Sequence, residues 1–187
     1  MGLAIDTPTY GQYMAIVPED SAARSAGVRL AMAGVAAVII VADQVSKTLV
    51  LASRPVAGAG LVSIRLVRNS GASGGIGAGH PVAVTVAAVL IAGLAGAFAL
   101  RSRRRAAAVF LAAVLGGALG NLSDRVFRSP GFGRGAVVDW IHLAGSNSSF
   151  NVADMAIQIG VLGAVVAMFV SERSRKAGQP REHVNPG

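Results

Sequence analysis

Apolar residues gather into four long stretches, at 30–52, 82–100, 106–122 and 152–170. The second and third carry no charge over 19 and 17 residues, and the fourth carries only Asp154 over 19. The first is interrupted by Asp43 and Lys47. A helix of about 20 apolar residues crosses the roughly 30 Å hydrocarbon core of a bilayer. Backbone in lipid must satisfy its own hydrogen bonds, so all four stretches are expected to be helices. As soluble core helices they would leave too little polar chain to cover them. Two longer connectors, 53–81 and 123–151, separate these spans. Within the first, 61–67 (LVSIRLV) partly alternates and predicts a strand. The run after it, 71–79 (GASGGIGAG), predicts a flexible turn.

Composition sharpens the picture. Hydrophobic residues make up 53% of the 187 and charged ones only 14%, against roughly 25% charged in soluble chains. Disorder is excluded by the apolar content. With no cysteine, a disulfide framework, a thiolate metal site and a cysteine nucleophile are excluded as well. The net charge of +8 does not point to nucleic acid, because the basic residues flank the apolar stretches. Ten of the 17 lie at the start of the first span (Arg24, Arg29), in the RSRRR turn between the second and third, and after the fourth (Arg173, Arg175, Lys176, Arg181). The positive-inside rule puts these regions, and both termini, in the cytoplasm, with the two long connectors outside. The domain reading is an N-terminal cytoplasmic tail at 1–29, a membrane domain at 30–171 and a C-terminal cytoplasmic tail at 172–187. The N-terminus lacks the early, short apolar core of a cleavable signal peptide.

Acids carry the chemistry. Between residues 30 and 171 there are only four: Asp43, Asp124, Asp139 and Asp154. A carboxylate at membrane depth is costly, so each is expected to have a partner or a task. Asp43 has Lys47 four residues on, on the same helix face, which suits neutralisation, with Lys47 reaching outward. Asp124 ends the third span and Asp154 opens the fourth. Antiparallel spans place these two at one depth, where they are expected to meet. Asn121 and Asn151 each precede one of them by three residues and offer amide donors. A carboxylate pair can bind a cation, relay protons or run acid–base hydrolysis. No histidine has metal-ligand spacing, and a relay would need acids at several depths. A pair confined to one interface suits hydrolysis, where water arrives from outside.

These residues resemble the lipoprotein signal peptidase (signal peptidase II) family of bacterial intramembrane aspartic proteases, over about 30–171. Its motifs appear as Asp43-Gln44-x-x-Lys47, Asn69-Ser70-Gly71-Ala72, Gly117-x-x-Gly120-Asn121-x-x-Asp124-Arg125, Val137-Val138-Asp139-Trp140 and Phe150-Asn151-x-Ala153-Asp154. Each is weak alone; five in order on four spans are specific. The chain departs from the pattern at Ser73-Gly74-Gly75, where an aromatic is usual, and at Trp140, where Phe is. The first departure bears on how the loop packs over the substrate.

The resemblance implies an all-α membrane protein of four transmembrane helices, with a small extracytoplasmic β-containing platform and a short interfacial helix. It implies an aspartic endopeptidase of the bacterial cell membrane that cleaves prolipoproteins N-terminal to an S-diacylglyceryl cysteine, with its active site at the outer face. Asp124 and Asp154 are the expected catalytic pair. The helix dipole assigns Asp154, in a first turn, as resting base and Asp124, at a C-terminus, as resting acid. Asn69, Gly71, Asn121, Arg125 and Asn151 are expected to orient substrate or dyad, with Arg125 paired to Asp139 or meeting lipid phosphate. Asp43, Gln44, Lys47, Asp139 and Trp140 are expected to be structural, Trp140 in the headgroup belt. No metal and no cofactor are expected. Expected partners are diacylglyceryl-modified prolipoproteins, membrane phospholipids and globomycin-type inhibitors, with no nucleic acid, on a monomer. A small ion- or proton-coupled transporter and a non-catalytic membrane scaffold are the rival readings. The first would want a polar path through the second span, which offers only Thr85.

Overall fold

The computed structural model describes residues 19–53, 60–102 and 104–177. Four helices are long and apolar enough to cross a membrane. They are α1 (Glu19–Ser53), α2 (Pro81–Arg101), α3 (Arg105–Phe127) and α4 (Val152–Ala177). The four sequence-predicted spans fall inside them. Helix α1 starts well before residue 30, so part of the expected N-terminal tail is helical. Its segment from Glu19 to Arg29 is rich in Ala and Arg and opens with Glu-Asp, which favours helix and suits an N-terminus. The rest of the expected tails, 1–18 and 178–187, lies outside the described residues.

Helix α3 is the centre of the bundle and packs against each of the other three. Its sequence makes that possible. Ala107, Ala108, Ala112, Gly116, Gly117, Ala118 and Gly120 are all buried, so neighbouring backbones come close. A Cβ on Gly116 would lie 2.9 Å from the Ala36 Cα of α1, and one on Gly117 would strike the Ala153 carbonyl of α4. Gly117→Ala therefore forces α4 away from α3. The expected cost is about 1–3 kcal/mol, read as a lowered thermal midpoint in detergent micelles.

The two long connectors build one three-stranded antiparallel sheet, in the order β1 (Val62–Asn69), β2 (Val137–Leu143), β3 (Ser149–Phe150). The expected strand is present, displaced by one or two residues. Where a short interfacial helix is expected, the described residues of the connectors hold a single 3-10 turn at Ser73–Gly75. Gly74, Gly75 and Gly77 all adopt positive φ there, which a side chain resists. Val137, Val138 and Asp139 of β2 are buried, which places this strand against the ends of α1 and α3. Thr85 ties α2 to the loop before β2 by donating to the Gly133 carbonyl (2.9 Å).

Candidate active site

Asn151 precedes α4 and forms a reciprocal cap with Asp154, its third helical residue. Asn151 Oδ1 accepts from the Asp154 N–H (2.9 Å), and Asp154 Oδ2 accepts from the Asn151 N–H (3.2 Å). This uses two backbone donors that a helix start otherwise leaves unmet. It also fixes where the Asp154 carboxylate stands. Its Oδ1 accepts from Asn121 Nδ2 of α3 (2.8 Å).

From Asn151 the network reaches the sheet. Asn151 Nδ2 donates to Asp139 Oδ1 (2.7 Å) and lies 3.0 Å from Asn121 Oδ1. Asn69, at the end of β1, donates to Asp139 Oδ2 (3.0 Å). One asparagine thus touches both Asp139 and Asp154. Both acids line a cavity of about 610 Å³ whose other wall is α2, at Ala83, Val84, Ala87, Ala88 and Ile91. Asp139 has its pKa pushed up to about 6, chiefly by burial, with the Asp154 charge adding to the rise and the Asn69 and Asn151 donors opposing it.

Asp124 stands elsewhere. Its carboxylate is fully buried and faces α1, where Lys47 Nζ lies 2.8 Å from Oδ2. Arg128, one turn on, contacts Oδ1 at 2.6 Å. Gln44 Nε2 donates to Oδ1 (3.2 Å), and the Val138 N–H of β2 donates to Oδ2 (3.1 Å). Asp124 does not line the cavity, and among the described residues no bond joins it to Asp154. The expected pairing of Asp124 with Asp154 is thus corrected. Helix α3 turns Asp124 toward Lys47 and Gln44 of α1, Asp154 lines the cavity opposite α2, and the acid that shares Asn151 with Asp154 is Asp139.

Other expectations change too. Lys47 pairs with Asp43 at 2.7 Å as the spacing predicts, but it does not reach outward. It is fully buried, and it donates to Asn121 Oδ1 (3.1 Å) as well as serving both acids. Asp43 also accepts from the Ala153 N–H (3.0 Å), so α1 supplies a second cap to α4. Arg125 makes no ion pair with Asp139 among the described residues. It is buried, and its Nη2 donates to the Gly71 carbonyl (2.6 Å). A Cβ on Gly71 would fall 2.6 Å from the Gly75 carbonyl, so only glycine lets that loop fold back over the site. Arg125 Nη1 has no partner among the described residues, and Arg125 lines the cavity. Trp140 is half-buried on β2. Arg128 was not anticipated, although its spacing of four from Asp124 signals such a pair.

A sequence profile for signal peptidase II matches residues 35–170. The lipoprotein signal peptidase of Leifsonia xyli subsp. xyli is 38% identical over 138 residues, which are 71% of this chain and 64% of that protein. The lipoprotein signal peptidase of Streptomyces griseus subsp. griseus is 40% identical over 146 residues, 75% of this chain and 74% of that one. A bacterial membrane enzyme solved by the in meso method at 2.3 Å resolution shares the fold, with a TM-score of 0.63 at 23% identity over 82% of this chain and 94% of that one. The profile takes in all four spans and both connectors, and with them the chain belongs to the signal peptidase II family.

Proposed function

We propose that this protein removes signal peptides from prolipoproteins, hydrolysing the bond N-terminal to an S-diacylglyceryl cysteine, with Asp139 and Asp154 as its catalytic pair. The observation that carries this reading is the pair of carboxylates on one wall of a cavity whose opposite wall is apolar helix. Signal peptide and acyl chains favour such a wall, at about 0.8 kcal/mol per buried CH₂. Charge distribution supports a site on the outer face of the bacterial cell membrane with both termini inside. The substrate reaches it from the bilayer as a monomer's client, and globomycin-type inhibitors would occupy the same cavity.

Two carboxyls that share Asn151 and one cavity hold one proton between them. Asp139 is 2% exposed while Asp154 is half-buried, which favours Asp139 as the proton holder and Asp154 as base. Asp154 takes a proton from water, and the resulting hydroxide attacks the scissile carbonyl carbon. Asp139 protonates the carbonyl oxygen. As the tetrahedral intermediate collapses, the C–N bond breaks, the proton on Asp154 passes to the departing nitrogen, and the hydroxyl proton returns to Asp139. Arg125 Nη1 is free to hold a substrate carbonyl beside the pair.

The test is cleavage of a lipobox peptide carrying diacylglyceryl on its cysteine by purified protein in lipid-containing micelles. Cleavage before the modified cysteine is expected, and none of the unmodified peptide. A folded protein that leaves the modified peptide intact would overturn the reading. The pH profile gives a second check. The Asn69 donor favours the charged form of Asp139. Asn69→Ala therefore raises the Asp139 pKa and moves the alkaline limb of kcat/KM upward; a limb that stays in place or moves down contradicts the assignment.

A further inference from the structure

A second cavity, of about 360 Å³, lies on the far side of the catalytic wall. Asn69, Asp139 and Ser149 line both cavities, so they form the partition between them. The two spaces differ in chemistry. The first is walled by apolar helix α2. The second is lined by Arg65, Arg68, His142, Asn147 and Ser148, and Asp139 is the only acid among the described residues that line it. Arg65 and Arg68 are exposed and make no ion pair among the described residues.

Their convergence needs an explanation, because residues three apart on a regular strand point to opposite faces. The register supplies it. Between the pairs Ile64↔Ile141 and Val67↔Asp139, β1 advances three residues while β2 advances two. The extra residue is a bulge, which re-aims side chains next to it. It brings both arginines to the rim of one polar cavity beside a catalytic carboxylate.

We propose that this polar cavity binds the segment of substrate that follows the scissile bond, and that Arg65 and Arg68 favour acidic side chains there. The proposal rests on the protease reading. With the bond held at the partition, the signal peptide lies along the apolar side and the mature chain leaves through the polar side.

The experiment uses two diacylglyceryl-modified peptides, identical except at the second and third residues after the scissile bond, which are Asp-Asp in one and Lys-Lys in the other. The full-length native chain is expected to favour the acidic peptide in kcat/KM by about five-fold or more at low salt, with the ratio shrinking as salt rises. Arg65→Glu with Arg68→Glu is expected to invert the ratio, and Arg65→Gln alone to bring it toward one. The ratio is internal to each protein, so lowered expression does not mimic the result. If the double variant cleaves neither peptide, the milder Arg65→Gln decides. A native ratio near one, or a ratio that these variants leave unchanged, overturns the subsite while leaving the protease intact. A native chain that cleaves neither peptide overturns the protease reading, and the subsite with it.

Discussion

Asp139→Asn and Asp154→Asn are each expected to lower kcat for the diacylglyceryl peptide, per folded molecule, by at least about 10³-fold. Each replacement keeps the shape of the side chain but removes either the proton holder or the base. Asn at 139 still accepts from Asn69 through its oxygen but turns its NH₂ toward Asn151 Nδ2, so a loss of about 1–3 kcal/mol in stability accompanies the lost activity. Asp124→Asn is the decisive comparison. Its carboxylate is held between Lys47 and Arg128, away from the cavity, so its loss should appear as instability. Per folded molecule, Asp124→Asn is expected to retain cleavage within about ten-fold. The dyad assignment fails if folded Asp139→Asn cleaves normally. It also fails if Asp124→Asn, well folded, is as dead as Asp154→Asn.

The spans were legible because long uncharged runs have one solution in lipid. Strand β1 was legible from its alternation. Its partner β2 was not, since the buried Val137-Val138-Asp139 run resembles other apolar chain until something pairs with it. The site was legible in its members more than in its pairing. All the motif residues converge at the sheet end of the bundle, yet depth along the chain says nothing about rotation around a helix axis. That rotation separates Asp124 from Asp154. A hint lay in the cations. Asp43 has Lys47 four residues on and Asp124 has Arg128 four residues on, whereas no Lys or Arg stands four residues either side of Asp139 or Asp154. Acids with local counter-ions build the scaffold, and the two without them face the cavity.

Lys47→Met is expected to cost about 3–5 kcal/mol, because it strips a buried cation from two buried carboxylates at once. Lys47, Asp43 and Asp124 are all fully buried. With Arg128 they balance in charge, and removing Lys47 leaves one negative charge in excess. The same change leaves Asn121 Oδ1 with Asn151 Nδ2 alone, so the amide that donates to Asp154 loses one of its two anchors. Cleavage should therefore fall beyond what the folded fraction explains. A second variant separates charge from shape. Asp43→Asn with Lys47→Met removes the excess charge, and its amide oxygen can still accept from the Ala153 N–H. It should recover a large part of the lost stability but less of the lost activity, since Asn121 still lacks its Lys47 anchor. Thermal unfolding in micelles and cleavage per folded molecule read the two effects independently. A single variant as stable as the native chain, or a double variant no more stable than the single, would show that Lys47 does not bind this end of the bundle by charge. Activity restored with stability in the double variant would remove Lys47 from the positioning of Asp154.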